Sequence, residues 1–143
     1  MSKIYDADFY TWAMSQADAV RRRSANEVDW DNVAEELEIL GRGEARELKS
    51  WYVVLLTHLL KWMYQPERRG RSWANTIANQ RDELKDHLVH NPGLAPREVE
   101  EFEKAYHLAR RDASSETELE LDTFPERPPF TLDQAKDGAW LPE

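Results

Sequence analysis

The chain has 143 residues, no cysteine and a formal net charge of −9, from 19 Lys and Arg against 28 Asp and Glu. That length predicts a single domain with one core, and the missing thiols exclude disulfides, thiolate catalysis and zinc sites built on sulfur. A strongly acidic balance speaks against general nucleic-acid binding, which needs a basic face on the phosphates.

The first residues, Met1 to Asp8, hold two acids and no apolar run, so they are not read as a signal peptide. The apolar spacing that follows is helical almost everywhere. A first helix is predicted from about Asp8 to Arg22, with Phe9, Trp12, Ala13 and Val20 on one face and Asp6 or Asp8 as its cap. A second starts near Asp29 or Asp31 and carries a stripe of Trp30, Val33, Ala34, Leu37 and Leu40. Gly41 and Gly43 are then expected to break or kink the chain.

The third helix, about Glu44 to Tyr64, is apolar on most of its circumference, which predicts burial by neighbours on most sides. Its most apolar stretch, Trp51 to Tyr64, holds Thr57, His58 and Lys61 and is too short to span a bilayer. Pro66 ends it, because the residue before a proline avoids the helical region. A fourth helix is predicted from Ser72, as N-cap, to near His90, and a fifth from Pro96 at its first position. The fifth is expected to bury Val99, Phe102, Tyr106 and Ala109. From about residue 122 the chain is predicted to form a surface-packed extension, extended over Phe124 to Phe130. One short helix follows, begun by a capping box at Thr131 to Gln134. The fold class is therefore all-α: a compact bundle of about five helices around a central apolar one.

Several stretches, in this order, carry a family resemblance: Tyr5-Asp-Ala-Asp-Phe-Tyr-Thr-Trp12, Asp29-Trp-Asp-Asn-Val-Ala-Glu-Glu36 and His58-Leu-Leu-Lys-Trp-Met-Tyr-Gln-Pro66. Ser72-Trp73, Gln80-Arg81, Phe124-Pro125 and Trp140-Leu-Pro142 continue the pattern. Over nearly its whole length the chain resembles the domain-of-unknown-function 29 family of bacterial proteins. The resemblance implies an all-helical fold and a bacterial cytosolic setting, and it implies no activity. Ala95 stands where the family's pattern usually offers a serine cap, which bears only on the start of the fifth helix.

Polar residues placed where packing prefers apolar ones are the first candidates for chemistry. Gln80 falls inside the stripe Trp73, Ile77, Leu84, Leu88, and Arg81 lies at its edge. A buried guanidinium needs a partner, for which Glu35 or Glu36 is the expected carboxylate. His58 and Lys61 share a flank of the third helix and complete a candidate polar cluster. Each of these side chains has a plainer reading, a structural salt bridge or a hydrogen-bonded core histidine, and that reading carries more weight.

A second candidate is the basic connector. Arg68, Arg69 and Arg71 with Ser72 and Trp73 at a helix start combine guanidinium forks, backbone N–H groups and an aromatic plane, which suits phosphate. A solvated loop is the plainer alternative. Glu83, His87 and His90 could share a surface face, but no Glu-x-x-His di-metal signature occurs, and no metal or cofactor is expected. Residues 98–126 hold ten acids and three bases, an acidic region open to partner binding.

The leading expectation is a noncatalytic helical protein-interaction module in the cytoplasm, with a protein partner or a second copy and no membrane. One alternative is a small enzyme or ligand-binding protein with an inter-helix pocket around Glu36, His58, Lys61 and Arg81. Another is a nucleic-acid or phosphate binder through Arg68 to Arg71. Convergence of the four polar residues on an open cleft would favour the pocket, and a contiguous exposed apolar patch would favour the interaction module.

Overall fold

Six α-helices and no strand make up the regular structure of residues 3–143, the part of the chain described by a computed structural model. They are α1 (Lys3–Ala7), α2 (Phe9–Arg21), α3 (Trp30–Tyr64), α4 (Arg71–His90), α5 (Glu98–Thr117) and α6 (Leu132–Lys136). Among these residues no helix is long and apolar enough to cross a membrane. The chain divides into two compact units, Met1–Gly43 and Glu44–Glu143.

In the first unit, Asp8 caps α2 as its composition predicts: the carboxylate accepts from the Thr11 N–H at 3.0 Å and from the Thr11 hydroxyl at 2.7 Å. The helix stops at Arg21, and Arg23 adopts a left-handed φ of 57° that turns the chain. The N–H of Ser24 then reaches back to Ala19 O at 2.9 Å, satisfying a carbonyl the helix end would leave open. Asp29 ties the turn together. It accepts from Trp12 Nε1 at 3.1 Å and Asn32 Nδ2 at 2.9 Å, while its own N–H donates to Gln16 Oε1 at 2.6 Å. Trp12, Ala19 and Val28 are the buried hydrophobic residues among those described in this unit. The stripe predicted for the start of α3 is present, yet Trp30, Leu37 and Leu40 are each more than 60% exposed.

Gly41 and Gly43 do not break the helix. Leu37 to Leu40 on one side and Glu44 to Leu48 on the other are good helix formers. The glycine cost of about 1 kcal/mol each is carried by a cooperative helix of 35 residues.

The second unit is built on residues 44–64 of α3. Leu48, Tyr52, Leu55, Leu56, Leu59 and Leu60 are completely buried there, with Ile77 and Leu84 of α4 in the same core. Phe102 and Tyr106 of α5 join them, and Ala105, Ala109 and Ala113 give α5 a low ridge. Thr57 is buried without loss because its hydroxyl donates to Val53 O at 2.7 Å. The residues after α5 enter this core as well: Phe124, Phe130 and Ala135 are buried, and Trp140 packs against Phe130 at 5.9 Å between ring centroids. The capping box forms as its residues predict. Thr131 Oγ1 accepts from Gln134 N at 3.0 Å and Gln134 Oε1 accepts from Thr131 N at 2.9 Å.

Two helix starts differ from expectation. Gly70, not Ser72, caps α4, because Arg69 is anchored by its Nε donating to Trp62 O at 2.7 Å and the helix begins directly beyond it. Pro96 falls inside a 3₁₀ run over Pro92–Arg97, and α5 begins only at Glu98. Its buried face therefore runs through Glu98, Glu101, Phe102, Ala105 and Ala109, which leaves Val99 58% exposed.

Candidate functional site

The polar residues singled out from sequence are spent in different ways. Glu36 accepts a short hydrogen bond from the Tyr5 hydroxyl, which it pushes up to about 12, and Glu35 lies 3.9 Å from Arg42. His58 Nδ1 sits 2.9 Å from Val54 O one turn back on α3. Lys61 pairs with Glu116 at 3.2 Å and covers the Trp73 ring at 4.9 Å. Gln80 holds its Oε1 buried and without a partner among the described residues.

Arg81 is buried, and its partners are not the glutamates expected for it. Its Nε donates to Ala135 O at 2.8 Å and its Nη2 approaches Gln134 O at 3.4 Å, both at the C-terminal end of α6. The Asp137 N–H already serves Asp133 O at 3.0 Å and Gln134 O at 3.2 Å, and Arg81 adds a cationic donor at the negative end of this short helix. Burial holds the guanidinium below its usual value, with Asp137 opposing that shift.

Next to Arg81 lies a constellation that sequence reading missed. Glu98, 9% exposed, accepts from the Tyr52 hydroxyl at 2.8 Å and from Lys136 Nζ at 2.8 and 3.1 Å. Burial raises the Tyr52 hydroxyl well above the usual phenol range, with the Glu98 carboxylate adding to it. Arg81, Glu98 and Lys136 line a pocket of about 490 Å³ with Lys85 and Leu88 of α4 and with Gly138. No spacing rule joins positions 52, 81, 98 and 136, and a second acid, Glu101, shares the buried face of α5, so no local pattern singled out Glu98.

In the first unit, α2 and the start of α3 enclose an apolar groove of about 680 Å³. Phe9, Ala13 and Val20 line one wall and Val33, Leu37 and Leu40 the other, with Gln16, Arg21 and Glu36 also on its surface. Phe9 and Val20 are about half exposed, and Leu37 and Leu40 about two-thirds. Tyr10, Met14 and Ile4 are further exposed apolar side chains of the same unit.

The basic connector is partly absorbed by the fold. Arg69 lies over the Trp62 ring at 5.2 Å besides its bond to Trp62 O, and Trp73 is half-buried beneath Lys61. Arg68, Arg71 and Ser72 remain exposed. The His87 ring is buried edge-on against Trp51 at 4.8 Å and its Nε2 meets Glu44 O at 2.8 Å, while His90 Nδ1 meets Asp86 O at 2.8 Å. The histidines at the end of α4 thus face different partners, and among the described residues no group of three or more His, Asp or Glu is placed to hold a metal ion.

The family model described as Domain of unknown function DUF29 matches residues 4–141. No curated protein and no solved structure matches the chain.

Proposed function

We propose a function for a chain that belongs to the DUF29 family and takes no assigned activity from that membership: it is a noncatalytic protein-interaction module of the bacterial cytosol. The observation that carries this reading is the open groove between α2 and the start of α3. Its walls are apolar side chains at helical spacing, the surface that the apolar face of a partner's amphipathic helix fills in a helix-in-groove complex. An exposed contiguous apolar patch on a folded unit is the usual mark of such a surface.

The test uses the full chain and a double variant, Leu37→Glu with Leu40→Glu, matched by circular dichroism for helix content. Each is used for affinity capture from cells, and sedimentation of the purified protein separates a partner from a second copy. A stoichiometric protein held by the wild type and lost from the variant supports the groove, as does a wild-type dimer that the variant dissociates. Equal capture by both proteins, with both sedimenting as monomers, overturns it.

A further inference from the structure

Arg81 is the one buried arginine among the described residues, 8% exposed, and the acceptors it meets are two neutral main-chain carbonyls. A guanidinium carries five N–H donors in a rigid fork, and those two bonds leave most of them unused. Elsewhere in the chain Arg22, Arg42, Arg97 and Arg110 each meet a carboxylate within ion-pair distance. Arg81 has no such pair, and Asp137 acts on it only at longer range. A nearly buried cation without a counter-anion is costly, and the cost falls when an anion is supplied from outside.

Glu98, a carboxylate of the same pocket, is already engaged by Tyr52 and Lys136. The pocket walls therefore present three cations, Arg81, Lys85 and Lys136, against two carboxylates, Asp82 and Glu98. Leu84, Leu88 and Val89 supply an apolar side to the same space, whose volume of about 490 Å³ is in the range of small-molecule sites.

We propose that this pocket binds an organic monocarboxylate with a short apolar body, the carboxylate lying on the Arg81 fork and the body against Leu88 and Val89. A planar guanidinium and a planar carboxylate match as a two-point pair, which an ammonium does not reproduce. The inference stands apart from the groove reading: its residues belong to the unit Glu44–Glu143 and its failure would leave the groove untouched.

Hexanoate is the probe, titrated into the full chain at constant ionic strength and followed by amide chemical shifts and thermal melting. Hexanamide serves as the neutral isostere and inorganic phosphate as the competing anion. A ligand this small is expected to bind with a Kd on the order of 1 mM. Saturable shifts at Lys85, Leu88 and Gly138, absent with hexanamide, are the expected result. Arg81→Lys keeps the charge and should weaken binding at least tenfold. Gly138→Trp provides a variant that leaves Arg81 in place. Nothing lies within 4 Å of a Cβ built at Gly138, which lines the pocket, so a side chain can start there, and a bulky one at that wall is expected to abolish the shifts. Equal binding of hexanoate and hexanamide, tighter binding of phosphate, shifts confined to other residues, or no saturable shift would each overturn the proposal.

Discussion

The units Met1–Gly43 and Glu44–Glu143 carry the same kind of amphipathic helix and end in opposite states of burial. In the larger, the leucines of α3 from Leu48 to Leu60 are sealed by α4, α5 and the aromatic residues of the C-terminal segment. In the smaller, the stripe that continues the same helix towards its start leaves Leu37 and Leu40 mostly in solvent. An amphipathic pattern specifies which face seeks cover, and the number of neighbours decides whether cover is found. Two helices and a short third one enclose little more than Trp12, Ala19 and Val28. About forty residues is also near the lower limit at which a chain closes a core of its own.

Truncation inside the larger core should have the largest effect. Leu56→Ala removes a completely buried side chain and should cost about 3–4 kcal/mol in urea unfolding. A loss under about 1 kcal/mol would deny that α3 is the centre of that core.

Next comes alkaline pH. Burial raises Tyr52 beyond the phenol range and Tyr106 to about 12, whereas unfolded tyrosine titrates near 10. Above about pH 10 the unfolded chain sheds protons that the native chain keeps. Stability is therefore intact below that pH and falls as pH rises, by up to about 1.4 kcal/mol per pH unit for each tyrosine. Urea titrations between about pH 9 and pH 11 should show this slope, and Tyr106→Phe should flatten it. A flat wild-type profile would mean that neither phenol is shielded.

Thr131→Ala should cost about 1 kcal/mol by opening the capping box of α6. Gly41→Ala and Gly43→Ala should each raise stability by about 0.5–1 kcal/mol. Both positions lie within α3, where an added Cβ meets nothing within 4 Å. A fall in melting temperature on either change would argue for a kink there. Smallest of all, Leu37→Ala should shift unfolding by less than about 0.5 kcal/mol, as for other exposed positions. A cost near that of Leu56→Ala would erase the contrast between the two regions.

Local chemistry was legible where it acts over a few residues. Asp8, Pro66 and the pair Thr131 and Gln134 marked helix ends because a side-chain oxygen or a missing N–H acts on the adjacent turn. Ser72 and Pro96 misled, since a cap requires an extended backbone that a distant anchor, Arg69 on Trp62, and a 3₁₀ run shifted elsewhere. Arg81 stood out as a charge at the edge of an apolar stripe, but its true acceptors lie more than fifty positions away. Glu98 and Lys136 gave no comparable signal.

The sequence by itself determined the helical class, the apolar face of each helix, most helix ends and the membership of one family. The first three follow from period, caps and prolines within a turn or two, and the family from motifs matched along the chain. Tertiary structure alone decided that Glu98 is held between Tyr52 and Lys136, that Arg81 meets carbonyls rather than a carboxylate, and that one apolar face is sealed while the other stays open. Those outcomes depend on which groups arrive from far along the chain, and pairing free energy belongs to the arrangement rather than to either residue.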